Sequence, residues 1–162
     1  MKRLFQILNE LKRKKIISEY AIGGGVATLV YVEPILTYDI DIFVVIKTKG
    51  PITLLSPIYN YLKSIGYDQW VGEHIIIEGH HVQFIPADQL ETEAVLYAKI
   101  KIYPGTRVKV VAPEYLIALF LRAGRSKDKI KAKMLLDQAK INMTKLMRIL
   151  RKYDLVSRYR KL

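Results

Sequence analysis

Asp39 and Asp41 stand two residues apart in the segment Tyr38-Asp39-Ile40-Asp41-Ile42-Phe43-Val44-Val45-Ile46. An extended strand sends alternate side chains to one face at about 3.3 Å per residue, so both carboxylates share a face about 7 Å apart while Ile40 and Ile42 take the other. At an effective dielectric of about 20 the two charges repel by on the order of 2 kcal/mol, and a divalent cation relieves that repulsion. Hard oxygen ligands favour magnesium or manganese. Taken alone, the same spacing also describes the polar face of an ordinary strand.

About fifteen residues upstream lies Gly23-Gly24-Gly25. Glycines at the start of a helix present backbone N–H groups that phosphate oxygens can approach without a side chain intervening. A tight turn with close packing makes the same demand. A phosphate cradle followed by a same-face acidic pair is the arrangement that metal-assisted phosphoryl transfer from a nucleoside triphosphate needs. Arg125 and Lys127 fall in a short connection between two helices, where they meet phosphates or simply solvate a turn, and Asp128 caps the following helix or pairs with one of them. His74, His80 and His81 match no strong zinc spacing, and adjacent strand residues point to opposite faces, so turn and surface roles are expected for them.

The elements that must position these groups follow from periodicity. Leu4, Leu8 and Leu11, with Phe5 and Ile7, predict an amphipathic first helix ending in Lys12 to Lys15, which complement the helix dipole. A short strand from Tyr20 to Ile22 runs into the glycines, a helical turn follows from Val26, and the Asp39 segment is a strand whose apolar second half belongs at the centre of a sheet. Leu54, Ile58, Leu62 and Ile65 predict a helix entered near Pro51 and stopped by Gly66. Glu73 to Glu78 and His81 to Ile85 form a hairpin with Gly79-His80 as a type II′ turn, which sets Gln83 opposite Ile76 and leaves Glu78 and His81 on its face. A second hairpin, Lys99 to Tyr103 and Arg107 to Val111, turns at Pro104-Gly105. Pro113 opens a helix that Gly124 closes. Ile130, Met134 and Leu135 mark the next helix, and Leu146, Ile149, Leu150 and Tyr153 mark another, capped by Asn142 or Thr144. The expected fold class is α/β (α+β): a mixed sheet flanked by helices, in one domain over 1–162, with the sheet core at 1–111 and a basic helical part at 112–162.

The 162 residues carry 27 Lys or Arg, 15 Asp or Glu and no Cys. A chain of this length buries roughly two-thirds of its unfolded surface, and without thiols it has neither disulfides nor a thiolate zinc site. Charge is divided unevenly. Six basic residues face one acid in 1–15 and fourteen face three in 122–162, whereas the middle holds seven basic and eleven acidic residues. Basic ends around an acidic middle suit an enzyme acting on a polyanion such as RNA, and equally suit solvated helix faces. The longest uncharged apolar run is about 12 residues, short of the roughly 18 to 20 of a membrane span, and Glu10 and Lys12 interrupt any signal-peptide core. A cytoplasmic protein with no membrane partner is expected.

Ile22-Gly23-Gly24-Gly25-Val26-Ala27 and Thr37-Tyr38-Asp39-Ile40-Asp41-Ile42 resemble the Gly-Gly and Asp-x-Asp signature of the DNA polymerase beta-like nucleotidyltransferase superfamily, and within it the abortive-infection toxin type, AbiEii-like and MenT-like. His81-Val82-Gln83-Phe84-Ile85-Pro86-Ala87 with Glu93-Ala94-Val95, and Pro113-Glu114-Tyr115-Leu116-Ile117-Ala118 with Arg125-Ser126-Lys127-Asp128, extend the resemblance over roughly residues 16 to 140. It implies an NTP donor with Mg²⁺ or Mn²⁺ on Asp39 and Asp41, and nucleotide contacts at Gly24, Gly25, Thr37, Arg125 and Lys127. It further implies an RNA, a tRNA end or a protein as acceptor, and an antitoxin protein as partner.

Three positions depart from that pattern. The third carboxylate of active members falls at Gln83, an amide that cannot take a proton as a general base and is left to orient a bound water. Tyr115 replaces a lysine and Ile35 an arginine. Two other readings therefore accompany transfer: a degenerate domain that binds nucleotide or RNA without turnover, and an Asp-x-Asp glycosyltransferase, which the short chain and the glycines disfavour.

Overall fold

The computed structural model describes residues 1–46, 55–103 and 105–162. The first helix, α1 (Lys2–Arg13), buries Leu4, Phe5, Ile7, Leu8 and Leu11 on one stripe and ends in Lys12 and Arg13, as its spacing predicts. Next come β1 (Glu19–Ile22), the single helical turn α2 (Gly24–Thr28) and β2 (Asp39–Val45). Helix α3 (Ser56–Ser64) buries Ile58 and Leu62; its expected entry at Pro51 and Leu54 lies outside the described residues. Strands β3 (Trp70–Val71), β4 (His74–Ile77) and β5 (His80–Pro86) lead to α4 (Gln89–Leu96). The second hairpin is β6 (Lys99–Tyr103) and β7 (Thr106–Val110), with Pro104 outside the described residues.

The remainder is helical: α5 (Pro113–Ala123), α6 (Ser126–Gln138), α7 (Met143–Lys152) and α8 (Val156–Tyr159). Helix α5 starts on Pro113 and stops at Gly124, whose φ of 72° is the left-handed conformation glycine adopts without a Cβ penalty. It is buried from Pro113 to Leu121, packed among α2, α4, α6, α7 and α8, so it is a central helix rather than a one-sided surface helix. Asn142 caps α7 through its side-chain oxygen. In α6 the inward face is Asp128, Ala132 and Leu135, and Ile130 stands 60% exposed, a correction to the apolar stripe expected there.

The described strands form one seven-stranded sheet in the order β3-β4-β5-β2-β1-β7-β6. β2 pairs parallel with β5 and β1 pairs parallel with β7; the other neighbours are antiparallel. The mixed α/β architecture is the one expected. At the far edge, β6 holds the ammonium groups of Lys99 and Lys101 over the Tyr31 ring and leaves Ile100 and Ile102 62% and 77% exposed.

One expectation is overturned at the first hairpin. The turn is Glu78-Gly79, with φ of 51° and 75°, so it is type I′ rather than the type II′ turn at Gly79-His80. Ile77 pairs with His80, Ile76 with His81 and Ile75 with Val82. Gln83 therefore does not face Ile76; continuing the ladder by one step brings it opposite His74. Glu78 leaves the sheet face for the turn, where its carboxylate accepts from the Tyr67 hydroxyl. Both registers keep Ile75, Ile77 and Val82 on the core face, so hydrophobic alternation is silent between them and turn geometry decides.

The C-terminal helices are tied to the core through Glu114. Its carboxylate accepts from the Asn142 backbone N–H at 3.0 Å and from Lys145 Nζ at 3.2 Å. Burial pushes this carboxyl up, but the Asn142 N–H and the Lys145 ammonium outweigh it and hold it below the ordinary 4.5. A depressed carboxyl contributes stability that is complete above its unfolded value and lost as pH falls through its folded one. Glu114→Gln should lower stability at pH 7 by about 1 to 3 kcal/mol. Urea denaturation repeated below pH 4.5 should show that gap narrowing; a gap independent of pH would remove the charge from the explanation.

Candidate active site

The glycine turn is pressed against β2. A Cβ on Gly23 would lie 2.2 Å from the Phe43 ring, one on Gly24 1.7 Å from Asp41 Oδ2, and one on Gly25 2.4 Å from Thr37 Oγ1. Gly24 also has a φ of 56°, and the Gly23 N–H donates to the Asp41 carbonyl at 2.8 Å. Only glycine lets the backbone come this near. Thr37, Gly24, Gly25 and the acidic pair are thereby brought to one wall of a cleft of about 720 Å³. Beyond Asp39, β2 lies beside β5, with Asp39 in register with His81 and Asp41 with Gln83.

The opposite wall is α5 and the start of α6. Arg125 precedes the first turn of α6, and its guanidinium binds Asp128, which is only 1% exposed, through Nε at 2.5 Å. Asp128 thus pairs with a cation, one of the two roles expected of it. Lys127 and Lys131 lie one helical turn apart and both line the cleft. Lys131 Nζ is 3.6 Å from the point a Gly25 Cβ would occupy and 5.5 Å from the Phe120 ring centre. Sequence reasoning missed Lys131, although its four-residue offset from Lys127 was a visible signal. Every residue anticipated at the site, Gly24, Gly25, Thr37, Asp39, Asp41, Gln83, Arg125 and Lys127, lines this cleft.

Burial raises the Asp41 carboxyl above its ordinary 3.8; the Lys131 cation opposes the rise, the Asp39 charge adds to it, and Arg125 and His74 oppose it more weakly. Asp39 is more open, its side chain 47% exposed and its Oδ1 3.7 Å from His74 Nε2. Two further carboxylates were not foreseen. Glu73 accepts from the Gln83 amide at 3.2 Å. Glu91, 6% exposed, is bound by Arg122 through one oxygen while its Oε2 is buried without a partner among the described residues.

Tyr115, at the position where the resembling family has a lysine, donates from its hydroxyl to Glu93 at 2.9 Å and does not line the cleft. A second, more open groove of about 580 Å³ lies beside α4, but its Glu93 is already held by Tyr115, Tyr153 and Lys152. Tyr153 accordingly serves as a structural side chain, its hydroxyl donating to Glu93 at 2.6 Å. Contrary to expectation, His74 and His81 are not separate surface groups: both face Asp39, and one ligand atom from each of the three lies within 4.8 Å of the others. His80 points elsewhere and meets the N-terminal amine at 3.0 Å.

No family model matches the chain, and no curated protein matches it. Among solved structures it is similar to ANT(2'')-Ia in complex with adenylyl-2''-tobramycin, at a TM-score of 0.55 and 14% identity, covering 97% of both chains. The solution structure of that antibiotic-resistance factor aligns with a TM-score of 0.54 and 16% identity over 98% of this chain and 92% of the other. An antigenic nucleotidyltransferase-like protein from Paracoccidioides brasiliensis aligns at 0.50 and 17%, covering 96% and 91%. These likenesses establish a nucleotidyltransferase fold. No described helix is long and apolar enough to cross a membrane.

A carboxyl whose folded-state value is raised makes the native state less stable as pH climbs from the ordinary value through the raised one, and the deficit persists above it. Asp41→Asn should therefore raise Tm above that of the unsubstituted chain in chelated buffer at pH 7. The difference should close below pH 3.8, the ordinary value. Thermal denaturation at both pH values checks this, and a variant of lower Tm at pH 7 would contradict the burial cost.

Proposed function

We propose that this chain transfers a nucleotidyl group from a nucleoside triphosphate to a hydroxyl, with RNA, a tRNA end in particular, as acceptor. The observation that carries the reading is the acidic pair Asp39 and Asp41, set against a glycine turn and faced across one cleft by Arg125, Lys127 and Lys131, in a nucleotidyltransferase fold. The donor set fits a hard dication: two same-face carboxylates, one of them half-buried and disfavoured as a lone charge. Asp39 and Asp41 would hold magnesium or manganese, which when bound supplies electrostatic stabilisation to the phosphates.

The chain's own residues do the rest. The Gly24 and Gly25 backbone and Thr37 receive the triphosphate, and Arg125, Lys127 and Lys131 balance its charge. Leu36 and Tyr38, 79% and 73% exposed beside Thr37, offer apolar surface to the base. The acceptor hydroxyl oxygen bonds to the α-phosphorus as the bond to the β-phosphate bridging oxygen breaks, pyrophosphate leaves, and the hydroxyl proton passes to a base. Gln83 cannot serve. Of the carboxylates lining the cleft outside the acidic pair, Glu91 is paired with Arg122 and Asp128 with Arg125, whereas Glu73 makes no ion pair among the described residues. Glu73, held by the Gln83 amide, is the base in this scheme. The basic helices α6 and α7 hold the acceptor. The resemblance to abortive-infection toxins supports a toxin role with an antitoxin protein as partner.

A second reading, nucleotide or RNA binding without turnover, is favoured by one observation: the strand position beside Asp41 is an amide. Incubation with each labelled triphosphate, Mg²⁺ or Mn²⁺, and cellular RNA separates the two. Label transfer should occur, fall at least about 10³-fold in Asp39→Ala and Asp41→Ala, and fall about 10² to 10⁴-fold in Glu73→Gln. Metal-dependent binding with no transfer would decide for the binding module. RNA affinity should fall with salt at a log–log slope of about −3 to −4, as neutralising about four phosphates requires; a filter-binding series showing no slope would remove RNA as the acceptor.

A further inference from the structure

Strand β2 and the β4–β5 hairpin place Asp39, His74 and His81 together at the rim of the cleft. Parallel pairing sets Asp39 beside His81, and the Glu78-Gly79 turn fixes the register that puts His74 on the neighbouring strand of the same face. One carboxylate oxygen and one ring nitrogen from each histidine all lie within 4.8 Å of one another. His74 Nε2 is 3.7 Å from Asp39 Oδ1, and the two imidazole centres are 5.9 Å apart. All three residues are half-buried. Among the described residues neither His74 nor His81 hydrogen-bonds to another protein side chain, in contrast to His80, which meets the N-terminal amine.

Ligand atoms around a tetrahedral ion with bonds of about 2.0 to 2.1 Å stand about 3.3 Å apart. The His74 Nε2 to Asp39 Oδ1 distance of 3.7 Å is already near that value, and the ladders hold His81 beside Asp39 on the same face. Two imidazoles with one carboxylate form a donor set for borderline transition-metal dications, whereas magnesium demands oxygen and retains water. Three protein ligands with a fourth position open is the pattern of zinc sites that admit a further ligand.

We propose that Asp39, His74 and His81 form a binding site for a transition-metal dication of the zinc class, with its open position toward the cleft. The site shares Asp39 with the acidic pair but does not include Asp41, and it does not depend on nucleotidyl transfer. Because the imidazoles discriminate by ligand type, zinc or cobalt occupies it in the presence of excess magnesium, and Asp39 becomes the point at which the two kinds of ion compete.

The test is titration of the chelator-treated full chain with ZnCl₂ by calorimetry and with CoCl₂ by visible absorption, in millimolar Mg²⁺. One equivalent of Zn²⁺ should bind, and Co²⁺ should give the intense d–d bands of a low-symmetry four- or five-coordinate site. His74→Ala and His81→Ala should each weaken binding at least about 10-fold and remove the bands, while His80→Ala should match the unsubstituted chain. Asp41→Asn should retain the bands. Circular dichroism verifies that each variant is folded, and a double His74→Gln, His81→Gln variant repeats the test with similar side-chain volume. Zinc affinity unchanged in both histidine variants, or lost in His80→Ala, would overturn the proposal. Because the readout is metal occupancy, zinc binding without label transfer supports the site and sinks only the transferase reading. Transfer with magnesium but no zinc binding does the reverse.

Discussion

The molecule is organised around the contact of a glycine backbone with side chains of β2 and of Thr37 just before it. Residues 23 to 25 come so near to Phe43, Asp41 and Thr37 that a single methyl group at any of them would overlap an atom already there. That approach turns the chain from β1 into α2, seats the Asp41 carboxylate against Gly24, and leaves a cleft that α5 and α6 line from the other side. The adjacent ladders then have little freedom. β2 must lie between β1 and β5, and whatever stands at residues 81 and 83 is carried next to Asp39 and Asp41. A packing constraint made of hydrogen atoms thus fixes a chemical one made of charges.

The charges themselves are not arranged for stability. Asp41 is half-buried and only partly compensated by Lys131 and Arg125, and Glu91 keeps an oxygen buried without a donor. Away from the cleft the fold balances a buried acid closely, as with Glu114 and the N–H of Asn142. Asp41 and Glu91, the poorly satisfied acids, share one cleft, which is the pattern expected where folding free energy is given up for chemistry.

Much of this was legible beforehand because it is written in short-range patterns. The acidic pair, its strand, the glycine junction, the capped helices and the two hairpins all follow from period two, period 3.6 or turn chemistry. The hairpin register did not, because the two candidate pairings differ by a shift that leaves every side chain on the same face; only the left-handed φ values at Glu78 and Gly79 separate them. From that one ambiguity came the misplacement of Gln83 and Glu78 and the failure to see His74 beside His81. Helix α4 was overlooked although Asp88, with Glu91 three residues on, forms a capping pattern. Glu73 reaches the cleft through tertiary packing, which no local pattern encodes, whereas Lys131 was signalled by its helical spacing from Lys127.

The exposed flank of β6 has a consequence for how the molecule behaves in bulk. A terminal strand with Ile100 and Ile102 turned outward is a template for pairing between copies. The lysines alternating with them take the other face of the strand, over the Tyr31 ring, and leave the isoleucine face without a charge from β6. What keeps two such edges apart is then the formal charge of +12 on the whole molecule, a long-range repulsion that fades as the screening length contracts to about 8 Å near 0.15 M salt. Colloidal behaviour is therefore set by ionic strength rather than by local sequence at the edge. The same surplus of positive charge that draws in a polyanion at low salt is also what disperses the free protein, and a bound polyanion neutralises both effects together.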